Sequence, residues 1–167
     1  MYAQLEITAL DNERLSDLRQ ALCKDIDGII SVVAKAKSQQ YKREGDIKLN
    51  IKDASIRVAK ADLVKIVEEL IDNALKFSEE KASIFIETQS TETSVILKVT
   101  DFGRGIKPED LKEVGAYMQF ERALYEQQGL GLGLVIVKRL VELYGGQFFI
   151  QSEVGQGTEI AIALPKV

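Results

Sequence analysis

The clearest periodic feature of the chain is an apolar series that repeats every three to four residues from Asp62 onward. That spacing predicts an amphipathic helix with one buried face. The residues of the apolar face are Leu63, Ile66, Val67, Leu70, Ile71, Ala74 and Leu75. A second clear helix is predicted over residues 134–144, and Gly145-Gly146 stops it, because glycine commonly ends helices.

Alternation of apolar and polar residues predicts strands in the second half of the chain. The predicted strands are residues 83–89, 94–100, 147–152 and 158–164. Turns at Thr91-Glu92 and at Gly155-Gln156-Gly157 join them in pairs as hairpins. The segment between the two hairpins, residues 101–133, is punctuated by glycine and has little periodicity.

The first part of the chain is predicted to be mostly helical. Residues 1–45 carry apolar positions at helical spacing, with Asp11 or Asn12 as a cap between two helical pieces. Short strands follow at residues 47–51 and 56–58. The resulting order predicts one α/β (α+β) two-layer sandwich, in which helices pack on one face of a mixed, mostly antiparallel sheet.

Composition narrows the possible chemistry. The chain has no histidine and a single cysteine, Cys23, which is predicted to pack on the first amphipathic helix. Without histidine, Ser-His-Asp catalysis, Cys-His catalysis and histidine-based metal sites are excluded. A hard-cation site made of oxygen ligands stays open.

Charge and hydropathy bear on location and partners. The formal charge is -4, with 22 basic and 26 acidic residues, which argues against a dedicated nucleic-acid binder. No apolar run approaches the ~18 residues of a membrane span, and the N-terminus lacks the pattern of a signal peptide. The chain is therefore expected to be cytoplasmic, without direct membrane contact, although a parent protein could be membrane-anchored.

One polar stripe on the helix after Asp62 carries candidate chemistry. Glu69, Asn73 and Lys76 share it, since helical residues turn by ~100° each. Asparagine is disfavoured in helix interiors, and its amide oxygen is a suitable Mg²⁺ ligand. The alternative is that these residues form an ordinary solvent-exposed helix face, and the stripe taken alone favours this alternative.

Two glycine-rich segments are candidate ligand loops. Asp101-Phe102-Gly103-Arg104-Gly105-Ile106 follows a strand, and its aspartate can accept a hydrogen bond from an exocyclic amine such as that of adenine. Residues 129–133, Gly-Leu-Gly-Leu-Gly, lead into a helix, where free N–H groups and the helix dipole favour phosphate. Ordinary turns are the alternative for each segment taken alone.

Other glycine-loop families fit less well. A P-loop needs Gly-Lys-Ser/Thr, which does not occur, and a dinucleotide fold needs a strand directly before its glycines. Asp-Phe-Gly at 101–103 is reminiscent of eukaryotic protein kinases, but the chain is too short for two lobes and can have no His-Arg-Asp loop.

Taken in order, these segments resemble the ATP-binding domain of sensor histidine kinases, in the superfamily shared with gyrase, the large heat-shock chaperone ATPases and MutL. The resemblance covers residues 12 to 167 and implies a Bergerat-type ATP-binding fold. The matching segments are Glu-Leu-Ile-Asp-Asn-Ala-Leu-Lys-Phe-Ser at 69–78 (N box), Asp101 to Ile106 (first glycine box), Gln-Phe-Glu-Arg at 119–122 (phenylalanine box), Gly129 to Leu134 (second glycine box) and Gly-Gln-Gly-Thr at 155–158.

The resemblance implies roles for individual residues. Asn73 would coordinate the Mg²⁺ that bridges the ATP phosphates, Glu69 matches the superfamily's proposed base, and Arg122 would steady the γ-phosphate. Residues 107–128 would form a mobile lid. The residues expected to bind the nucleotide are Asn73, Lys76, Phe77, Asp101, Gly103, Gly105, Ile106, Phe120, Gly129, Gly131, Leu132, Gly133, Leu134 and Thr158.

The resemblance also implies a division of labour. Family kinases phosphorylate a histidine on a separate dimerisation domain, and this chain cannot carry that acceptor. Residues 1–10 are interpreted as the possible end of a dimerisation helix, and residues 11–167 as the catalytic domain. The expected partners are the histidine-bearing domain and a downstream response regulator.

Two features of the sequence depart from the family pattern, and three alternative functions remain open. Leu130 stands where many members have Thr or Ser, and the acceptor histidine is absent. A nucleotide-binding docking module without transfer activity, a serine-directed kinase of the anti-sigma-factor type, and an ATPase of the gyrase or MutL kind are the competing interpretations.

Overall fold

The computed structural model describes residues 17–116 and 133–167. Residues 17–20 are helical. The following elements are α1 (Ile26–Gln40), β1 (Ile47–Asn50), α2 (Lys60–Phe77), β2 (Ile84–Ser90), β3 (Ser94–Asp101), α3 (Pro108–Ala116), α4 (Gly133–Leu143), β4 (Gln147–Glu153) and β5 (Gly157–Pro165).

The strands form a five-stranded sheet in the order β1-β2-β3-β5-β4. β1 pairs with β2 in parallel, and the remaining neighbours are antiparallel. Both predicted hairpins are present, as β2–β3 and β4–β5. The prediction of a mixed, mostly antiparallel sheet with helices is therefore confirmed.

The hydrophobic core lies between one face of the sheet and helices α1, α2 and α4. Every residue of the predicted apolar face of α2 is buried, and Leu70 and Ile71 are fully inaccessible. Alternate residues of β3 meet this face, because strand side chains point to opposite sides in turn. Burying one such Leu or Ile side chain stabilises the fold by about 1.5–3 kcal/mol.

Polar contacts at both ends hold α2 in place. At its start, the Tyr144 hydroxyl donates to the Asp62 carboxylate and accepts from the Ala59 N–H at 3.3 Å. At its end, the Ser78 hydroxyl donates to the Ala74 carbonyl at 2.7 Å. The helix that carries the candidate chemistry is thus tethered at its start by Tyr144 and capped at its end by Ser78.

The N-terminal helix differs from the prediction. Cys23 does not lie on a helix; it forms an isolated bridge with Ile56, and α1 begins only at Ile26. Asp25 interrupts the helical series, because its backbone is left-handed and its carboxylate accepts the Gly28 N–H at 3.0 Å as an N-cap. Cys23 is 2% exposed, as expected of a packing residue. The predicted cap at residues 11–12 lies outside the described residues.

Two shorter predictions also need correction. Residues 56–58 form no strand, since only Ile56 pairs, with Cys23 on one side and Lys166 on the other. The segment after residue 101 contains helix α3, which opens with Pro108 and the acidic residues Glu109 and Asp110. Proline in the first turn, with acidic residues at the positive end of the dipole, is a typical helix start.

No helix within the described ranges combines the length and the apolar character needed to cross a membrane.

Candidate functional site

A row of polar side chains crosses three neighbouring strands where the sheet meets the end of α2. Thr158 on β5 is the register partner of Asp101 on β3 and of Ser152 on β4. The Ser152 and Thr158 hydroxyls lie 2.8 Å apart. Asp101 and Thr158 are only 4% and 5% exposed, so the row places acceptors in a largely dry environment.

Asp101 is the charged member of this row. One carboxylate oxygen accepts the Gly103 N–H at 2.9 Å. Burial raises the pKa of the Asp101 carboxyl above its usual range, and hydrogen bonds from the Gly103 and Thr158 backbones oppose the rise. A buried carboxylate of this kind is a strong acceptor for a ligand N–H.

The loop after β3 packs directly on the last turn of α2. The Arg104 N–H donates to the Phe77 carbonyl at 3.2 Å. A Cβ at Gly103 would collide with that same carbonyl oxygen, so only glycine allows the loop to approach so closely. The N box and the first glycine box, separate in sequence, are therefore one structural unit.

The turn between β4 and β5 holds the other side of the loop. Ile106 donates its N–H to the Ser152 hydroxyl at 2.8 Å, and the Gly155 N–H donates to the Arg104 carbonyl at 2.9 Å. Gly105 has a φ of 68°, and a Cβ there would meet the Glu153 carbonyl oxygen. The loop is thus clamped between α2 and the closing turn.

These three segments border a cleft of about 310 Å³, which is at the lower end of the range for small-molecule sites. The Arg104 guanidinium lies 4.5 Å from the centre of the Phe77 ring, and the Lys76 ammonium lies 5.5 Å from it. The residues that line the cleft are Phe77, Arg104, Gly105, Ile106, Lys107, Asp110 and Val154. An aromatic ring among cations suits a flat, anionic ligand.

Earlier on α2, Glu69 faces the start of α4, and Asn73 lies one turn after Glu69. Asn73 is 8% exposed, which is unusual for a polar residue within a helix. Lys65 forms an ion pair with the Glu69 carboxylate. A Cβ at Gly133 would collide with a carboxylate oxygen of Glu69, so the first residue of α4 lies directly against it.

The structure brings many of the predicted site residues together. Phe77, Gly105 and Ile106 line the cleft. Asp101 and Thr158 do not line it; Asp101 accepts the Gly103 N–H of the same loop, and Thr158 contacts Ser152, whose hydroxyl accepts the Ile106 N–H. Leu134 packs into the hydrophobic core, which leaves only its backbone for a ligand. Lys76 is exposed beside Phe77. The predicted residues that lie outside the described ranges are Phe120, Arg122, Gly129, Gly131 and Leu132.

Sequence reasoning missed several contributors. Arg104, Lys107, Asp110 and Val154 line the cleft because two turns converge on it, which no local pattern indicates. Ser152 had a detectable signal: it is a polar residue at a core-facing position of the β4 alternation.

Comparison with known proteins agrees with this geometry. A family model described as "Histidine kinase-, DNA gyrase B-, and HSP90-like ATPase" matches residues 58–167. The chain is 32% identical over 169 residues to sensor protein SrrB of Staphylococcus aureus (strain NCTC 8325 / PS 47), covering 97% of this chain. It spans only 28% of that relative's length.

Solved structures show the same fold. A mycobacterial sensor histidine kinase, MprB, superposes with a TM-score of 0.73 at 23% identity, covering 88% of this chain and 97% of the other. Full-length ShkA in complex with AMPPNP superposes with a TM-score of 0.72 at 25% identity, covering 93% of this chain and 34% of the other. With the family match extending over most of its length, the chain belongs to the histidine kinase-, DNA gyrase B- and HSP90-like ATPase family.

Proposed function

We propose that the chain is the ATP-binding catalytic domain of a sensor histidine kinase, which transfers the γ-phosphoryl group of ATP to a histidine on a separate dimerisation domain. The observation that carries the proposal is the junction of α2, the loop after β3 and the β4–β5 turn. The loop after β3 begins at the buried carboxylate of Asp101 and continues into residues that line an aromatic, cation-rimmed cleft.

The nucleotide base would enter the cleft that Phe77 and residues 104–106 of the loop line. Asp101 would accept a hydrogen bond from the exocyclic amine of adenine, with Thr158 and Ser152 supporting the adenine site through water. Phe77 and Ile106 supply apolar walls. Full-length ShkA, which contains a region of the same fold, forms a complex with AMPPNP, an ATP analogue, and this supports nucleotide binding as the function of the fold.

Magnesium would be held mainly by Asn73. Its amide oxygen and the neighbouring Glu69 carboxylate are hard oxygen donors, which is the donor set that Mg²⁺ prefers. Among the described residues no three His, Cys, Asp or Glu side chains cluster, so phosphate and water would complete the coordination. When bound, the ion supplies charge neutralisation for the transferring phosphoryl group.

The rest of the phosphate site would come from the protein's cations and N–H groups. Lys76 stands at the end of α2 beside the cleft, and the start of α4 at Gly133 faces Glu69. Arg122 would add a positive charge at the γ-phosphate. The Lys65 ion pair orients Glu69, which we assign as the candidate base.

The nucleophile must come from another domain, because the chain contains no histidine. We therefore infer that this chain does not phosphorylate itself and that its partners are a histidine-bearing dimerisation domain and a response regulator. Phosphoryl transfer depends mainly on positioning and electrostatics, so docking of that domain would complete the site.

Calorimetric titration of Mg·ATP, followed by phosphotransfer to an added dimerisation domain, tests the proposal. We expect one-site binding that weakens at least about tenfold in Asp101→Asn, because a hydrogen bond to a charged acceptor is lost. Asp53→Asn, an exposed aspartate in the segment after β1, is the matched control. Binding without transfer would favour a docking module, and transfer only to a serine-bearing partner would favour a serine-directed kinase.

A further inference from the structure

Arg43 is a buried cation outside the cleft. It lies between α1 and β1 and is only 6% exposed. Arginine is seldom buried unless all its donors find partners, because an unpaired buried charge is costly. The hydrogen-bond partners of the Arg43 guanidinium therefore indicate which part of the structure it stabilises.

The guanidinium group binds the C-terminal end of α2 and the turn that follows it. One terminal nitrogen donates to the Leu75 carbonyl at 2.9 Å and to the Ser78 carbonyl and hydroxyl at 3.1 Å each. The other donates to the Glu79 carbonyl at 2.6 Å and the Ala82 carbonyl at 3.2 Å. Carbonyls at a helix C-terminus lack intrahelical donors and carry the negative end of the dipole, so a cation there is doubly favourable.

Asp46 fixes the orientation of this guanidinium. One Asp46 carboxylate oxygen accepts from Arg43 Nε and from the Lys81 N–H at 2.9 Å. The Asp46 carbonyl also accepts the Ile84 N–H at the start of β2 at 2.9 Å. The two residues together join the α2 terminus to the start of two strands.

The same helical turn forms a wall of the cleft. Leu75 and Ser78, which Arg43 binds, flank Phe77 in the chain. The Phe77 carbonyl receives the Arg104 N–H, and Gly103 packs against it. A displacement of this turn would therefore move the Phe77 ring and the loop after β3 together.

We propose that Arg43 is a positioning residue for nucleotide binding: from behind the cleft, it holds the last turn of α2 where Phe77 and the loop at residues 103–106 form the base pocket. The inference rests on the proposed nucleotide site. Lysine cannot replace it, because the planar guanidinium presents five donors in a fork, whereas an ammonium presents three at one point.

The test compares Arg43→Lys with Tyr144→Phe, which removes a contact from the opposite end of the same helix. Mg·ADP affinity is measured by calorimetry, and amide hydrogen exchange is followed residue by residue, at a temperature where both variants are folded. We expect Arg43→Lys to weaken Mg·ADP binding about tenfold or more. In this variant, amide hydrogen exchange should accelerate more at Arg104 than at the amides of the core. Tyr144→Phe should lower the melting temperature and leave the affinity within about twofold of wild type.

Asp46→Asn is the milder second variant, and it decides the question if Arg43→Lys does not fold. It keeps an acceptor for Arg43 and removes the charge, so a smaller loss of affinity with the same local exchange pattern is expected. The proposed role of Arg43 would be overturned if neither variant weakened Mg·ADP binding, or if Tyr144→Phe lost as much affinity as Arg43→Lys. Either outcome would leave the proposed nucleotide site standing. A folded wild type that binds no Mg·ADP would overturn the nucleotide site and, with it, this inference.

Discussion

At the scale of single residues, Asp101 combines an ionisable side chain with a buried position, which costs stability. Its carboxyl is buried, and burial raises its pKa even though two backbone N–H groups bind it. The fold therefore holds the charge of the Asp101 carboxylate at a cost in stability, which the proposed hydrogen bond to a ligand amine would explain.

The pH dependence of stability should reveal this cost. A folded pKa above the unfolded value adds stability at low pH that is lost as the pH rises through the folded pKa. Relative to Asp101→Asn, the wild type should therefore gain melting temperature as the pH falls from 7 through the folded pKa of Asp101. Melting curves of both proteins across this range provide the check; a constant difference between them would contradict the expectation.

Gly157 controls the position of Asp101. Its φ is 112°, and a Cβ there would collide with the Asp101 carbonyl oxygen, whereas Gly155 has a φ of 80° and open space around it. We predict that Gly155→Ala costs about 1 kcal/mol from the backbone alone. Gly157→Ala should cost more and also weaken nucleotide binding. Urea unfolding and calorimetry on the pair measure this, and identical losses would count against it.

Candidate site residues could be predicted where a local sequence pattern indicates their chemistry. Residues that reach the cleft only through tertiary packing could not be predicted. Asp101 follows a strand within a recognisable loop, and Asn73 is unusual in a helix, so pattern and resemblance indicate both as candidates, and their roles stay predictions. Arg104 and Val154 meet only because the glycine loop and the closing turn converge. The hydrogen bonds of Arg43 reach over thirty residues along the chain, which no window of sequence can show.

At the scale of elements, α2 depends on contacts at its ends as well as on its apolar face. The Tyr144 hydroxyl, which belongs to a side chain 2% exposed, binds Asp62 and Ala59 at the start of α2. Burial and the Asp62 carboxylate raise the pKa of Tyr144 to about 12.

Tyr144→Phe should destabilise the domain by about 1–3 kcal/mol at neutral pH, because it leaves the half-buried Asp62 carboxylate without this donor. A raised folded pKa contributes stability that is present below the unfolded pKa and lost above the folded one. The wild-type advantage should therefore disappear between pH ~10 and about 12. Denaturant unfolding of both proteins at neutral and alkaline pH measures it, and an advantage that persisted above pH 12 would contradict this account.

Elements with a sustained apolar period could be predicted, whereas isolated bridges and helices with few apolar positions could not. The apolar face of α2 was correct at every position because one period extends over several turns. Helix α3 was missed because its apolar positions are few, although Pro108 and Glu109 mark its start. The β-branched residues on either side of Arg57 mimic the alternation of a strand, but Ile56 forms only single bridges, to Cys23 and to Lys166.

At the scale of the whole molecule, the pair Arg43–Asp46 links helix, turn and sheet. The Arg43 guanidinium, with help from the Lys81 N–H, holds the pKa of the Asp46 carboxyl below its usual range. A lowered folded pKa contributes stability that is present above the unfolded value and lost as the pH falls through the folded one.

Acid unfolding should therefore depend on Asp46. Below pH ~4, wild type should lose stability more steeply than Asp46→Asn, because only wild type has this carboxylate to protonate. Asp53→Asn, exposed and outside the network, should retain the wild-type slope. Melting temperatures between pH 2 and 6 for the three proteins make the comparison, and parallel curves for wild type and Asp46→Asn would exclude the effect.

The sheet order has a consequence for the kinetics of folding. The hairpins β2–β3 and β4–β5 close short loops, whereas the pairing of β3 with β5 must enclose everything from residue 102 to residue 156. Closing long loops is entropically costly, and non-local pairing slows folding. The hairpins should therefore form early, and the pairing of β3 with β5 should limit the refolding rate. The cleft is lined by residues that follow β3 and by the β4–β5 turn, which come together only when β3 pairs with β5. A nucleotide would therefore bind only chains in which β3 and β5 have paired, and its binding would stabilise that folded state by mass action.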